Sequence, residues 1–135
     1  MQLDTWTWPD HYPAGCPPPS ARFPNGSYYR ITKSNPAIPG DFIPMTQENP
    51  LRAAKSMARG EDACLLAGLS VYADIDQAIS ISNQYPKLGR HIARVSMSDR
   101  DSKILPSRQR NSSHCTWWHI ADFDPVGVSV IEVSL

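Results

Sequence analysis

The amino-acid sequence predicts an α+β domain, in which two main helices pack on a small mixed β-sheet and a proline-rich arm precedes the sheet. Short segments rich in aromatic and β-branched residues alternate with two capped helical segments along residues 27–135. Ten of the thirteen prolines lie within the first 50 residues, which separates an N-terminal arm from this domain. A chain of 135 residues has the size of one domain.

Residues 1–26 are predicted to form an irregular or polyproline-like arm, because proline fixes φ and removes a backbone donor. Trp6, Trp8 and Tyr12 give this arm an apolar side. We expect that side to dock on the domain, with a disordered tail as the alternative. The arm is also the segment through which we expect a partner protein to bind.

The first strand is predicted at Ser27–Thr32, which follows the turn pair Asn25-Gly26. A loop leads to the first main helix, which begins at Pro50 after the Asn49 cap and ends at Gly60. Its predicted buried face consists of Leu51, Ala54, Met57 and Ala58.

The second strand is predicted at Leu69–Ala73, and Asp74 then caps the second main helix. That helix ends at Tyr85-Pro86, and a third strand is predicted at Arg90–Met97. The buried face of the second helix is predicted to consist of Ile75, Ala78, Ile79 and Ser82.

Residues 98–113 are polar and show no periodic segment, so we expect a loop that is either functional or mobile. The loop holds a concentration of basic residues, namely Arg100, Lys103, Arg108 and Arg110. Thirteen basic residues balance thirteen acidic ones along the chain. This zero net charge argues against nucleic acid as the main partner, because phosphate neutralisation requires a positive surface.

The closing strand is predicted at Val126–Val133. Alternation places Val128, Val130 and Glu132 on one face, whereas Ile131 belongs to the other. Both faces carry apolar residues, which indicates an interior strand. A carboxylate in phase with valines needs either a donor or a place at the end of the sheet.

The segment "HCTWWH" combines His114, Cys115 and His119 with Trp117 and Trp118. Three candidate ligands without a second cysteine or histidine pair argue against zinc, and no other feature marks the cysteine as an activated nucleophile. Alternation on an extended segment would bury one tryptophan and expose the other. An exposed tryptophan beside the second histidine could stack on a planar ring, while simple packing is the alternative.

Three cysteines, at positions 16, 64 and 115, are an odd number without regular spacing. We therefore expect no disulfide framework and a reducing compartment. The N-terminus shows no secretory pattern, and no apolar run approaches the roughly 18 residues of a membrane span. The sequence predicts a cytoplasmic protein without membrane segments.

Arg30 in the first strand, Ser70 with Tyr72 in the second, and Glu132 in the last form an ordered set. This layout resembles ADP-ribosyltransferase-like folds, including RES-type toxins that consume NAD. The resemblance implies that Arg30 holds a phosphate of NAD, that Ser70 and Tyr72 shape the nicotinamide pocket, and that Glu132 assists the loss of nicotinamide. It departs from the family pattern because Val130 stands where a second acidic residue or glutamine is expected.

The segments "YYRIT", "GLSVYADIDQA", "LGRHIARVSM" and "HCTWWHI" also resemble uncharacterised bacterial proteins with a YRI…GLSVY…LGxxIA pattern. That resemblance covers most of residues 27–133 and implies no activity.

Three functions follow as hypotheses. The first is an NAD-consuming transferase or glycohydrolase, with NAD as substrate, no metal, catalytic Glu132, and a pocket of Arg30, Ser70 and Tyr72 edged by Trp118 and His119. The second is a non-catalytic binding module, such as an immunity or antitoxin-like partner. The third is a nucleic-acid-binding protein that uses the basic loop and the tryptophans.

Overall fold

The computed structural model describes residues 6–107 and 111–135. Its strands are β1 (Gly26–Thr32), β2 (Leu69–Tyr72), β3 (His91–Met97), β4 (Ser102–Pro106), β5 (His114–His119) and β6 (Ser129–Ser134). Its α-helices are α1 (Met45–Glu48), α2 (Pro50–Ala58), α3 (Ala63–Ala67) and α4 (Ile75–Gln84). Single 3-10 turns occur at Pro39–Phe42, Pro86–Leu88 and Val126–Val128.

The six strands form one sheet in the order β4-β5-β2-β1-β3-β6, and every neighbouring pair is antiparallel. The α+β class is confirmed, whereas the expectation of a mixed sheet is wrong. α4 connects β2 to β3, which run parallel to each other, but β1 lies between them. No parallel pair is therefore in contact among the described strands.

β1 pairs very unequally with its two neighbours. It is aligned with β3 over its whole length, from Gly26 opposite Met97 to Thr32 opposite His91. Its register with β2 is a single pair, Tyr29 opposite Tyr72. The sheet therefore opens between β1 and the first half of β2, and this opening positions the candidate site.

Apolar clusters cover both faces of the sheet. On one face Val71, Val95 and Trp117 are fully buried in a cluster that includes the loop residue Phe42. On the other face α4 packs Ala78 against Ile92 and Tyr72. Ala78 and Ser82 are fully buried, which confirms the predicted face and the predicted N-cap of α4.

The N-terminal arm docks on the sheet, as its apolar side predicted. Trp8 and Tyr12 pack with Trp118 in a cluster on β5, and Arg22 forms an isolated β-bridge with Ile104 of β4. Trp117 and Trp118 point to opposite faces, yet both are 0% exposed, because the arm covers the second one. The expectation of an exposed tryptophan is therefore wrong.

A disulfide joins Cys16 of the arm to Cys64 of α3, across 48 residues. The expectation of no disulfide is wrong, because docking of the arm brings together two cysteines that sequence spacing does not connect. The third cysteine, Cys115, is free and buried in β5.

Residues 98–113 do not form one continuous loop. β4 occupies Ser102–Pro106, with Ser102 and Ile104 buried and the other three residues half-buried. Alternation over only five residues, two of them serine and proline, gives too weak a pattern to predict a strand. Arg108 and Arg110 lie outside the described residues.

The closing strand begins later than expected and has a different place in the sheet. Residues Val126–Val128 form a 3-10 turn, and β6 starts at Ser129 on the edge of the sheet. An edge strand tolerates an exposed side chain such as Val130, which is 57% exposed. The prediction of an interior strand is therefore wrong.

α2 begins and is capped as predicted, because Pro50 is its first residue and the Asn49 side chain accepts a hydrogen bond from the Arg52 amide. Its buried residues are Ala53 and Ser56, whereas Leu51 is 78% exposed. The predicted buried face is wrong, because α2 packs chiefly against α1 and α3 and buries small residues there. None of the helices in the described parts of the chain has the length and apolarity that a membrane crossing requires.

Candidate functional site

A cleft of about 370 Å³ lies where β1 and β2 separate. Its floor is formed by side chains of these two strands, namely Arg30, Ile31, Ser70 and Tyr72. α1, α2 and α3 contribute one wall, through residues such as Glu48, Arg52 and Leu65. The opposite wall is the turn that holds Lys87 and Leu88.

Arg30 bridges the opening between the strands. Its Nη1 donates to the Ser70 carbonyl at 2.8 Å, and its Nε donates to the Asp41 carbonyl at 3.0 Å. The guanidinium thus satisfies a β2 carbonyl at the point where the β1–β2 pairing stops. Burial lowers the pKa of Arg30, while the nearby Asp41 and Glu48 act in the opposite direction. Because arginine has so high an intrinsic pKa, it stays charged.

Asp41 is committed to the backbone of the loop before α1. Its two carboxylate oxygens accept from the Lys33 amide at 2.8 Å and the Ile38 amide at 3.0 Å. The residue is only 8% exposed. This carboxylate therefore fixes the loop whose carbonyl receives Arg30, and it is not free to meet a ligand.

The side chains that line the cleft carry a net positive charge. Four cationic side chains line it, Arg30, Lys33, Arg52 and Lys87, against two carboxylates, Asp41 and Glu48. The Asp41 carboxylate already accepts hydrogen bonds from two backbone amides. A concave site with an excess of positive charge favours an anionic ligand.

Ser70 and Tyr72 meet a third residue, His114, on the same side of the sheet. The Ser70 hydroxyl lies 2.9 Å from Nε2 of His114, and the Tyr72 ring meets the imidazole edge-on with centroids 5.5 Å apart. Burial lowers the pKa of His114 and raises the pKa of Tyr72. At neutral pH the imidazole is therefore uncharged and can accept a proton.

The Ser70–His114 pair was not predicted from the sequence. His114 was instead a candidate zinc ligand or a base for Cys115, because those residues are close in sequence. The register that places β5 beside β2 sets Tyr72 opposite His114 and Ser70 opposite Thr116. Because the paired strands are separated by more than 40 residues, no local pattern contains this information.

Glu132 lies outside the cleft, two strands beyond β1 on the edge strand. Its carboxylate forms an ion pair with Arg94 at 2.7 Å, and both side chains are solvent-exposed. The predicted set of Arg30, Ser70 and Glu132 is therefore not assembled in one cleft. The geometry gives no support to a catalytic role for Glu132.

Trp118 and His119 also lie away from the cleft lining. Trp118 is buried under the arm and donates from Nε1 to the Cys64 carbonyl at 2.9 Å. His119 packs against Trp117 and Phe123 on the other face of the sheet, with Nδ1 2.9 Å from the Ile120 carbonyl. Neither residue can edge a pocket that contains Arg30.

The thiol of Cys115 is buried, and burial raises its pKa. A thiol in that environment stays protonated, which argues against a nucleophilic role. Among residues 6–107 and 111–135, no group of three or more His, Cys, Asp or Glu side chains is placed to hold a metal ion.

Comparisons with protein-family models, with curated proteins and with solved structures find no match to this chain.

Proposed function

We propose that the chain binds a small anionic ligand of the nucleotide class in the cleft between β1 and β2, with NAD as the leading candidate. The observation that carries this proposal is the meeting of Arg30, Ser70 and Tyr72 at one positively charged cleft. These are the residues that the sequence resemblance assigns to the NAD pocket.

The size and lining of the cleft support a ligand of this class. A volume of about 370 Å³ falls within the range of small-molecule sites. Arg52, Lys33 and Lys87 supply charge for phosphate oxygens, and Arg30 uses only Nε and Nη1 for its contacts with the described residues. Leucine side chains and the Tyr72 ring supply apolar contact for a planar base.

Consumption of NAD requires negative charge near the ribose as nicotinamide leaves. Glu48 is the cleft carboxylate that no described hydrogen bond occupies, and it lies close enough to act on the Arg30 charge. We therefore propose Glu48, in place of Glu132, as the carboxylate of such a reaction. The NAD-consuming function thus depends on a different residue from the one that the resemblance implied.

Isothermal titration of the purified chain with NAD and ADP-ribose tests the binding proposal. We expect both to bind, and Arg52→Ala to weaken them about tenfold or more, because a hydrogen bond to a charged group contributes about 1.5–3 kcal/mol. Arg94→Ala, an exposed arginine outside the cleft, is the matched control and should leave affinity unchanged. Absence of binding at millimolar ligand would refute the proposal.

A measurement of nicotinamide release from NAD tests whether the chain consumes NAD. We expect Glu48→Gln to abolish release while NAD still binds, and Glu132→Gln to leave release unchanged. Release that survives Glu48→Gln but not Glu132→Gln would contradict this assignment.

A second candidate, the non-catalytic binding module, is favoured by apolar side chains around the cleft. Ile43, Leu65 and Leu88 are 37%, 43% and 49% exposed. Trp8 and Tyr12 of the arm pack on the domain, so we place the partner surface at this rim rather than on the arm. Sedimentation of wild type against Leu65→Lys tests the case in which the partner is a second copy of this chain: self-association that the lysine removes supports an apolar docking surface, and a monomeric wild type excludes a second copy as the occupant.

A further inference from the structure

We propose that Ser70 and His114 form a nucleophile–base pair that opens onto the cleft and acts on phosphoryl or acyl esters carrying an anionic group. This inference uses the same cleft but does not require its ligand to be NAD.

Ser70 and His114 are in direct contact. Ser70 Oγ and His114 Nε2 are 2.9 Å apart, which is the distance at which an imidazole accepts a hydroxyl proton. Ser70 is exposed and lines the cleft, so its oxygen is reachable by a ligand. His114 is half-buried behind it, where burial keeps the imidazole neutral.

The histidine that would act as the base is held in a fixed orientation. His114 is on β5, directly opposite Tyr72 of β2, and the two rings are in edge contact. β2 pairs with β5 at all four of its residues, and β5 pairs with β4 on its other side, so the two strands that carry the pair are held together. The imidazole is thereby held in place by rigid elements, which a productive nucleophile–base pair requires.

Positive charge surrounds the part of the cleft that Ser70 lines. The Arg30 guanidinium donates to the backbone carbonyl of Ser70 at 2.8 Å, which fixes a positive charge next to the strand that carries the hydroxyl. When a nucleophile attacks a phosphoryl or acyl centre, negative charge develops on the oxygens of that centre. Arg30 stabilises this charge, and the lysine and arginine side chains of the walls hold a second anionic group of the substrate.

A second histidine–serine contact provides an internal comparison. His91 Nδ1 lies 2.8 Å from Ser134 Oγ at the exposed end of β3 and β6, and neither residue lines the cleft. The contact distance is within 0.1 Å of that between Ser70 and His114, but the His91–Ser134 contact lies outside the cleft and away from its lining cations. Any reactivity of Ser70 beyond that of Ser134 must therefore come from its surroundings.

An alkyl phosphonofluoridate is a direct probe of the pair. Ser70 Oγ attacks phosphorus, the Oγ–P bond forms, the P–F bond breaks, fluoride leaves with the electron pair, and the hydroxyl proton passes to His114 Nε2. No oxidant, reductant or metal enters this step. The product is a stable phosphonyl ester that peptide mass spectrometry locates.

We expect the wild type to be labelled at Ser70 and not at Ser134, and Ser70→Ala to abolish labelling. His114→Gln, which keeps a hydrogen-bonding side chain but no base, should slow labelling at least 100-fold, the typical contribution of a general base. His91→Gln should leave the rate unchanged.

Circular dichroism of each variant establishes that it is folded. The proposal is overturned if Ser70 is labelled no faster than Ser134, or if folded His114→Gln reacts at the wild-type rate. NAD affinity, measured separately by titration, reports on the proposed function, so the failure of one proposal is distinguishable from the failure of the other.

Discussion

At the scale of the residue, the Arg30 side chain both stabilises the junction of β1 and β2 and is a candidate to bind the ligand of the cleft. Its two hydrogen bonds replace part of a strand pairing, and its charge lies on the floor of the cleft. The sequence could indicate that an arginine in an apolar strand needs an oxygen partner. It could not indicate that the partners are carbonyls of Asp41 and Ser70, because they come from other segments.

Replacing Arg30 by methionine should lower the free energy of unfolding by about 1–3 kcal/mol, because two acceptors lose a charged donor. Urea denaturation measures this. Arg94→Met removes an exposed ion pair with Glu132 and serves as the control, with an expected loss of about 0–1 kcal/mol. Equal losses in the two variants would show that Arg30 does not hold β1 and β2 together.

At the scale of the element, α3 links the arm, the sheet and the cleft. Cys64 forms the disulfide with the arm, its carbonyl accepts from Trp118 of β5, and the neighbouring Leu65 and Leu66 line the cleft. The helix has only five residues, too few for a periodic pattern, which is why sequence analysis did not predict it. In contrast, the ten residues of α4, with an aspartate cap and a regular apolar face, were predictable.

Removing the disulfide should destabilise the protein. The bond joins two residues that are 48 positions apart, so it restricts the unfolded chain. We expect Cys16→Ser to cost about 2–4 kcal/mol, with the same loss for Cys64→Ser. Because both changes remove one bond, the double variant should lose no more than about the same amount. Thermal unfolding with and without reductant measures the effect, and a wild type that reductant does not destabilise would contradict it.

Packing of α3 on β5 is tested by Gly68→Ala. A Cβ at Gly68 would clash with Thr116 Cγ2 and lie 3.0 Å from Trp118 Nε1, so the helix end must move. We expect a loss of about 1–3 kcal/mol, as in other overpacked sites. Gly40→Ala is the control, because its Cβ would meet nothing closer than 3.8 Å. A Gly68→Ala protein as stable as this control would refute the close approach.

At the scale of the whole molecule, the fold class and most of the strands could be predicted from the residue pattern of single segments. The order of the strands in the sheet could not. β1, β2 and β3 lie within a residue of their predicted bounds. The order of the sheet determines that Ser70 meets His114 and that Glu132 lies at an edge. Strand order results from long-range pairing, which alternation in a single strand cannot specify.

The pH dependence of stability follows from three histidines, His11, His114 and His119, whose pKa values are lowered mainly by burial. In the unfolded chain they bind protons near pH 6.5, whereas in the folded protein they do so at lower pH. The unfolded state therefore binds more protons in this window, and stability should fall as pH decreases below 6.5. Urea unfolding between neutral and mildly acidic pH measures this fall.

Replacing His119 by glutamine is the control for that measurement. It removes one of the buried titrating groups and should reduce the loss of stability on acidification. A stability that rises as pH falls through this window would contradict the assigned directions.

The central claim is that the cleft between β1 and β2 binds an anionic nucleotide, and amide chemical shifts of the ¹⁵N-labelled protein test it most directly. Titration with NAD should shift amides of β1, β2 and α1–α3, and these shifts should require higher ligand concentrations in Arg52→Ala. Shifts confined to the β4–β5 end or to the edge strand β6, or no shifts at all, would contradict the account.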